Sequence, residues 1–382
     1  MFEYDYDKTY FVVGNLSSVV MISILTNMRP ARLLFEIKEG LSDEVTINKY
    51  KNFIHSCINV AEEHDIQVPS PFFFFDNGLL SGLTRLRKFQ SRMQEIRFTE
   101  AEDTVYVGTT VSSIISSLQC KNENIIYLYH GTGDYLREVP FTSVNDAKQR
   151  LKKVCKKIVY RYILRQYTNA PNWPYGFGTD FKNIYSMCKI GNNENIKWID
   201  YRDFNSGIIA EELQSIVSTM GRNDNLLFLP YYTGFTGKGI EKDTTLFDSI
   251  NVSMIKRHIS KNTSIYIKFH PSLYGLESGR FVRNDLIEKL RYEGYEVIDI
   301  VPLIPNIIGG DLLPAEVLLR YLPFHRLLTW ESSTTWNVAE NENIEKVADI
   351  CDLPLSEYIG AKKRIDGMNL LCPNKVAIYI NR

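Results

Sequence analysis

Short polar motifs follow several apolar runs in this sequence, and each motif carries side chains that can do chemistry. His130 follows the run "NIIYLY" and opens the motif H-G-T-G. His270 follows "SIYIKF" and precedes Pro271, while "RLLTW" leads into Glu331 and four hydroxyl residues. Open α/β sheets bind ligands at the carboxyl ends of their strands. If these runs are strands, the motifs lie at ligand-binding edges.

His130 is the predicted general base. An imidazole has an ordinary pKa of about 6.5, so it can accept a proton from an attacking hydroxyl at neutral pH. The next four residues are Gly131, Thr132, Gly133 and Asp134. They predict a tight turn whose backbone comes close to a ligand. An ordinary turn with a hydrogen-bonded histidine is the alternative interpretation.

The second and third motifs predict contacts with an anion. Pro271 keeps the backbone of His270 extended, so the ring N–H can donate to a phosphate at the rim of the sheet. Ser332, Ser333 and Thr334 offer hydroxyls next to the free N–H groups at the start of a helix, which predicts a second anion contact. Plain N-capping, which needs only one serine, is the alternative.

A carboxylate completes the predicted nucleotide site. Pro314 suits the first turn of a helix, and Glu316 then lies in that turn. There it can accept hydrogen bonds from both hydroxyls of a ribose. A first-turn acid favoured by the helix dipole is the alternative. The order H-G-T-G, H-P, P-x-E and E-S-S-T favours one site over four unrelated motifs.

The elements that carry these motifs indicate an α/β fold. Apolar runs of strand length alternate with helical patterns, and the alternation restarts near residue 205. We predict one helix over residues 45–64 and a helical start to the tail after about residue 345. The predicted domains are an acceptor-binding domain over 1–205, a nucleotide-donor domain over 206–345, and a segment over 346–382 that crosses back to the first domain.

The composition of the sequence limits which partners and which cellular location we expect for the protein. The 382 residues include 44 basic and 45 acidic side chains, so no net charge favours a nucleic-acid partner. Six cysteines without metal-ligand spacing indicate reduced thiols. The start "MFEYDYDKTY" lacks signal-peptide features, and no apolar run reaches the roughly 18 residues that span a bilayer. These features predict a cytoplasmic protein.

Together the motifs resemble the bacterial sialyltransferase and polysialyltransferase families. "IYIKFHP", "LPAEVLL" and "WESSTTW" are similar in order and spacing to the family's donor motifs, and "YFVVGNLSSV", which contains Asn15, is similar to its first strand and loop. The resemblance implies the GT-B architecture, in which two Rossmann-like domains face each other across a cleft. It also implies that His270, Ser332 and Ser333 bind the donor phosphate and that Glu316 holds the cytidine ribose.

His130 departs from this family, because it stands where sialyltransferases have an acidic base. A histidine base resembles the CDP-glycerol and CDP-ribitol phosphotransferases, which share the H-G-T, H-P and Ser-Ser motifs. Those enzymes continue with P-L-K, where this chain has Gly133, Asp134 and Tyr135. Both families use a cytidine nucleotide. A non-catalytic capsule protein that binds a glycan or a nucleotide is the third alternative.

Two further stretches of the sequence are predicted to contact a binding partner or the donor. The stretch that begins at Lys148 and ends at Tyr167 holds eight basic residues and no acid. It predicts a helix that contacts inner-membrane lipid or an acidic glycan, and a core-packed helix with a solvated basic face is the alternative. Gly234 opens "GFTGKG", which lacks the Ser or Thr of a P-loop and is predicted to be a cleft loop that closes over the donor.

We therefore predict an inverting glycosyltransferase of bacterial surface-polysaccharide synthesis. Its donor is a CMP-activated acidic sugar, and its acceptor is a hydroxyl of an oligosaccharide or glycolipid. His130 takes the acceptor's proton, and Asn15 lies on the acceptor side with residues 131–134. The mechanism requires no metal and no resident cofactor. The remaining histidines are predicted to lack paired partners, and they are His55, His64, His258 and His325.

Overall fold

The computed structural model describes two compact units of this chain. It describes residues 2–38, 44–68, 103–109, 112, 114–115, 124–129, 131, 135, 183–190, 194–221, 225–231, 244–261, 263–274 and 277–380. The units are Met1–Ile199 and Asp200–Arg382. The domain boundary predicted from the sequence lies at residue 205. No helix within the described ranges has the length and apolar character required to cross a membrane.

The first unit is built on a parallel sheet whose central strands are fully buried. Every residue of β1 (Thr9–Val13) and of β5 (Ile125–Tyr129) is buried, as expected for strands covered on both faces. The other described strands are β2 (Ala31–Lys38), β3 (Val60–Val68), β4 (Val105–Thr109), β6 (Ile184–Ser186) and β7 (Ile196–Trp198). The strand order is β3-β2-β1-β4-β5-β6-β7. Helix α1 (Leu16–Thr26) follows β1, and α2 (Glu44–Cys57) follows β2.

The second unit repeats this design. Its described strands are β8 (Asn225–Leu229), β9 (Ser264–Ile267), β10 (Glu296–Asp299), β11 (Arg326–Thr329), β12 (Glu345–Asp349) and β13 (Ala377–Tyr379). All pairings are parallel, in the order β10-β9-β8-β11-β12-β13. The described helices are α3 (Gly207–Thr219), α4 (Thr244–His258), α5 (Glu277–Tyr292), α6 (Ala315–Tyr321), α7 (Ser333–Asn337) and α8 (Leu355–Leu371).

Both sheets have the strand order of a Rossmann fold. Numbered within its own unit, the second sheet runs 3-2-1-4-5-6, and the first sheet has the same order with one further strand. The order reverses between β1 and β4 in the first unit and between β8 and β11 in the second. A doubly wound sheet opens a crevice for ligands at this point, outside the carboxyl ends of the strands.

Two stretches differ from the predicted elements. The helix predicted over residues 45–64 ends at Cys57, and β3 follows it. β3 is an edge strand with mostly polar, partly exposed residues, so its sequence lacks the apolar alternation of a buried strand. The tail predicted to begin as a helix begins as β12. The predicted return of residues 346–382 to the first domain stays a prediction.

Three of the histidines predicted to lack partners have them. Nε2 of His55 lies 2.9 Å from a carboxylate oxygen of Glu63, and Nε2 of His64 lies 2.9 Å from one of Glu62. Nε2 of His258 lies 2.7 Å from a carboxylate oxygen of Asp349. Glu62 stands two residues before His64 on β3, whereas the fold brings Glu63 to His55 and Asp349 to His258 from more distant positions in the sequence.

Asp349 is the buried centre of a polar cluster that joins α4 to β12. Its carboxylate accepts hydrogen bonds from His258 and Arg257 and from the backbone N–H of Cys351 at 2.9 Å. Burial by itself raises the pKa of Asp349, but these hydrogen bonds outweigh burial and bring the pKa below its ordinary value. The ionised form of Asp349 therefore stabilises the second unit.

Replacing Asp349 tests this cluster. Asp349→Asn should lower the free energy of unfolding at pH 7 by about 3 kcal/mol, because it removes one charge of a buried pair. Since the native pKa is depressed, this stabilisation is complete above the ordinary carboxyl pKa of about 4 and is lost as the pH falls through the native value. Thermal unfolding at several pH values measures the difference between wild type and variant.

Asp352→Asn is the matched control, because Asp352 pairs with the same Arg257 at 2.6 Å but is partly exposed. It should change stability by less than about 1 kcal/mol. A difference for Asp349→Asn that stays as large at pH 3 as at pH 7 would contradict the electrostatic role.

Candidate functional site

The second unit carries three of the predicted motifs to one edge of its sheet. β9, β8 and β11 are parallel neighbours in that order, so their carboxyl ends lie side by side. His270 lies shortly after β9, and Ser332 lies shortly after β11. The gap between β8 and β11 is the point of strand-order reversal. The His-Pro and Ser-Ser motifs therefore flank the position where this fold binds ligands.

Glu316 connects the P-x-E motif to the E-S-S-T motif. Its side chain is buried on α6, where Oε1 accepts a hydrogen bond of 2.8 Å from Nδ2 of Asn337. Asn337 is the last residue of α7, and that helix begins at Ser333. Oε2 of Glu316 has no hydrogen-bond partner among the described residues, which leaves it available to a ligand hydroxyl. The carboxylate predicted to hold a ribose thus contacts the end of α7, and residues 332–335 at the start of this helix are called the hydroxyl loop below.

Lys268 is a residue of this site that the sequence did not identify. It follows β9 directly, its side chain is buried, and its Nζ lies 3.5 Å from the carbonyl oxygen of Asp311. Burial lowers the pKa of Lys268 to about 8, and the nearby carboxylates of Glu316 and Asp299 oppose part of this shift. The only signal in the sequence was a lysine inside the otherwise apolar run of residues 265–269.

His270 is uncharged at neutral pH. His270 is exposed to solvent as a residue, but neighbouring protein atoms still bury part of its ring. This burial lowers the pKa of His270 to about 4, and the positive charge of Lys268 adds to the shift. His270 can therefore donate one ring N–H to a phosphate at pH 7, but it does not supply a positive charge.

The turn that presents His270 is fixed by hydrogen bonds to its own neighbours and to β10. The turn Pro271–Leu273 closes when the N–H of Leu273 donates to the carbonyl of His270 at 2.9 Å. The hydroxyl of Tyr274 then donates to Asp299 at the end of β10 at 2.7 Å. Arg283 of α5 pairs with the same carboxylate at 3.2 Å. Two neighbouring elements thereby hold the turn.

The hydroxyl loop divides into buried and accessible members. Ser332 is the N-cap of α7, since its Oγ accepts the backbone N–H of Thr334 at 3.3 Å. Thr335 is buried and shares a hydrogen bond of 2.8 Å with Thr329 of β11. Thr334 is also buried, whereas Ser332 and Ser333 are half-buried. The two serines are therefore the hydroxyls of this loop that a ligand can reach.

Glu331 anchors the hydroxyl loop to α8. Arg364 donates from Nε to one carboxylate oxygen of Glu331 and from Nη2 to the other at 2.7 Å. Burial raises the pKa of Glu331, and the charge of Arg364 opposes part of that shift. This fork is a strong and directional contact. The position of Ser332 thus depends on a helix near the end of the chain.

In the first unit, Asn15 lies at the corresponding point of strand reversal. It caps α1, because its Oδ1 accepts the N–H of Ser18 at 2.8 Å. Its Nδ2 lies 3.5 Å from Oγ1 of Thr109, at the end of β4. The buried Glu36 of β2, which the sequence did not identify, accepts a hydrogen bond of 2.6 Å from the hydroxyl of Ser112.

Several predicted site residues cannot be placed. His130, Thr132, Gly133, Asp134, Gly234 and the basic stretch of residues 148–167 lie outside the described residues, so their roles stay predictions. Gly131 is described, and its carbonyl accepts the N–H of Tyr135 at 3.2 Å. A Cβ added at Gly131 would meet no described atom within 4 Å.

The two Rossmann-like units, with polar residues at the strand-reversal point of each, define an α/β protein of the two-domain Rossmann class. No protein-family model and no curated protein matches the sequence. Solved structures do match over nearly the whole chain. The fold class is therefore decided by structure rather than by sequence likeness.

The chain is similar in fold to two bacterial sialyltransferases. One is the sialyltransferase from Photobacterium damselae, residues 113–497, which correspond to its GT-B domain. The identity is 13%, the match covers 98% of this chain and 100% of that chain, and the TM-score is 0.50. The other is the α/β-galactoside α-2,3-sialyltransferase from the luminous marine bacterium Photobacterium phosphoreum, with 14% identity, 97% coverage of each chain, and a TM-score of 0.50. At these identities the likeness shows the fold, and it confirms the predicted GT-B class.

Gly279 provides a test of how the His270 turn is positioned. A Cβ at this residue of α5 would lie 2.2 Å from the carbonyl oxygen of Leu273, so Gly279→Ala must displace either the helix or the turn. We expect a loss of about 1–3 kcal/mol in the free energy of unfolding. Guanidinium denaturation measures this loss.

The matched control is Gly207→Ala at the start of α3, where a Cβ would meet no described atom within 4 Å. It should be neutral or slightly stabilising, because alanine favours a helix over glycine. Equal stability of Gly279→Ala and Gly207→Ala would show that the turn does not depend on this close approach.

Proposed function

We propose that the protein is a glycosyltransferase whose second unit binds a CMP-activated acidic sugar, sialic acid or a related nonulosonate. The hydrogen bond between Glu316 and Asn337 carries this proposal, because it joins the helix with a carboxylate suited to a ribose to the short helix that begins with hydroxyls suited to a phosphate. The His270 turn borders the same crevice at the end of β9. The GT-B fold and the motif order support the same assignment.

The proposed reaction is a single displacement with inversion. His130 accepts the proton of the acceptor hydroxyl as the oxygen attacks the anomeric carbon of the donor sugar. The bond between that carbon and the phosphate oxygen breaks, and CMP departs with the electron pair. His270, Ser332 and Ser333 donate hydrogen bonds to the phosphate as negative charge develops on it.

The first unit is the proposed acceptor side. Asn15 lies at its strand-reversal point with one amide hydrogen directed at Thr109, and Gly131 follows β5, where an added Cβ would have no described atom within 4 Å. Both positions suit contacts with the hydroxyls of an oligosaccharide or glycolipid. The basic stretch of residues 148–167 is proposed to contact acidic glycan or lipid, which would place the enzyme at the inner membrane surface of the cytoplasm.

A CDP-glycerol or CDP-ribitol phosphotransferase is the second candidate. The H-G-T turn with His130 favours it, because those enzymes use a histidine at this position. The same nucleotide site in the second unit would then hold the CMP portion of the donor. The two reactions differ in the bond that breaks, which is a sugar–phosphate bond in one and a phosphate–phosphate bond in the other.

Replacing the proposed base tests the catalytic assignment. His130→Ala should lower the rate of CMP release from the donor by about 100-fold or more, the usual range for a lost general base. Its CMP affinity, measured by isothermal titration calorimetry, should stay within about twofold of wild type because no donor contact is removed. His325→Ala, at an exposed histidine, is the control and should keep full activity. Near wild-type turnover in His130→Ala would exclude His130 as the base.

A donor panel separates the candidate functions. The protein is incubated with CMP-sialic acid, CDP-glycerol and CDP-ribitol in turn, and released CMP and product masses are measured. Release from CMP-sialic acid alone is expected. Release only from a CDP-polyol would favour the phosphotransferase, and CMP binding without release from any donor between pH 5 and 9 would indicate a non-catalytic binding protein.

A further inference from the structure

Lys268 differs from the second buried lysine of this unit in how its ammonium group is satisfied. An ammonium group has three N–H donors. Nζ of Lys346 donates to the carbonyls of Ala339 at 3.2 Å and Asn341 at 2.6 Å. Nζ of Lys268 has one long contact of 3.5 Å, to the carbonyl of Asp311, among the described residues. Lys346 is thus bound into the fold, whereas Lys268 retains donors for a ligand.

The position of Lys268 relates it to the proposed nucleotide contacts. Its charge acts on His270 two residues further along the chain and on the carboxylate of Glu316. The ammonium group therefore lies in the electrostatic range of both the proposed phosphate donor and the proposed ribose acceptor. Burying a lysine that lacks short hydrogen bonds is costly. Such a residue is typical of a functional site.

A nucleotide phosphate presents a charge that His270 alone does not balance. The imidazole is neutral at pH 7, and Ser332 and Ser333 offer only hydroxyl donors. Glu316 adds negative charge near the same edge of the sheet, whereas the charge of Asp299 is already paired with Arg283. Without a cation, this environment would disfavour an anionic ligand. Lys268 is the buried cation that the described part of the second unit provides at this edge.

We propose that Lys268 is a further nucleotide-binding residue, and that its ammonium group selects ligands that carry a phosphate over the uncharged nucleoside. The inference rests on the proposed cytidine-nucleotide site of the second unit. Lys268 acts in it as the positive charge opposite the phosphate of CMP. Glu316 remains the acceptor for the ribose hydroxyls, which CMP and cytidine share.

Calorimetric titration of CMP and of cytidine into three full-length variants tests the inference. Lys268→Met keeps the side-chain length and removes the charge, Lys268→Arg keeps the charge, and Lys346→Met is the matched buried-lysine control. At pH 7, Lys268→Met should weaken CMP binding by about 10–100-fold and change cytidine binding by less than about twofold, as expected for one lost hydrogen bond to a charged group. Lys268→Arg should recover most of the CMP affinity.

The outcomes separate this inference from the proposed function. If wild type binds CMP and Lys268→Met binds it with the same affinity, the inference about Lys268 is overturned and the proposed function is not. Equal losses for CMP and cytidine would also overturn it, because they would assign Lys268 to the support of Glu316 or of the fold. Wild type that binds neither ligand would overturn the proposed function and the inference with it. If Lys346→Met loses as much affinity for CMP as Lys268→Met does, with cytidine binding unchanged, the assignment of this role to Lys268 is contradicted.

Measuring the CMP affinity of wild type at several pH values tests the inference without any variant. CMP affinity should fall as the pH rises through about 8, where Lys268 loses its proton. Among the other groups near Lys268, Glu316 and Asp299 act on it as negative charges, Arg283 pairs with Asp299, and His270, with a pKa of about 4, stays neutral in this pH range. The CMP phosphate is already doubly charged above about pH 7. CMP affinity that is constant from pH 7 to 9.5 would overturn the inference.

Discussion

The hydrogen bond between Glu316 and Asn337 is the contact on which the arrangement of the second unit depends. A buried carboxylate is costly unless it is paired, so α6 and α7 must stay in contact at 2.8 Å. This contact holds the last residue of α7, the short helix whose first turn carries the two accessible serines of the hydroxyl loop. The same carboxylate balances part of the charge of Lys268, which follows β9. One buried acid therefore joins α6 to α7 by a hydrogen bond and interacts electrostatically with the residue after β9.

The positions of these loops follow from strand order. In a parallel sheet, every carboxyl end lies at one edge, and the reversal between β8 and β11 opens a gap there. The first unit repeats this geometry with Asn15 and Thr109 across the gap between β1 and β4. Each unit therefore carries polar side chains where its own fold leaves space for a ligand. The remaining polar contacts, such as the fork between Glu331 and Arg364, hold these side chains in place.

Strongly apolar strands and the motifs after them were predictable from the sequence, because burial on both faces leaves long apolar runs. β3 was not predictable, since an edge strand held by ion pairs has no such run. Residues that act through distant partners were also missed. The charge of Lys268 interacts with the carboxylate of Glu316, and His258 pairs with Asp349, across sequence separations that no local pattern encodes. The donor motifs could be proposed from the sequence because they are short and local, and their roles stay predictions.

The central claim is that the loops after β9 and β11, together with α6, form one nucleotide site. A crystal of the protein soaked with CMP tests it most directly. The account predicts the ribose hydroxyls at Glu316 and the phosphate within hydrogen-bonding distance of His270, Ser332 and Ser333. CMP bound at another edge of either sheet, or a ribose turned away from Glu316, would contradict it.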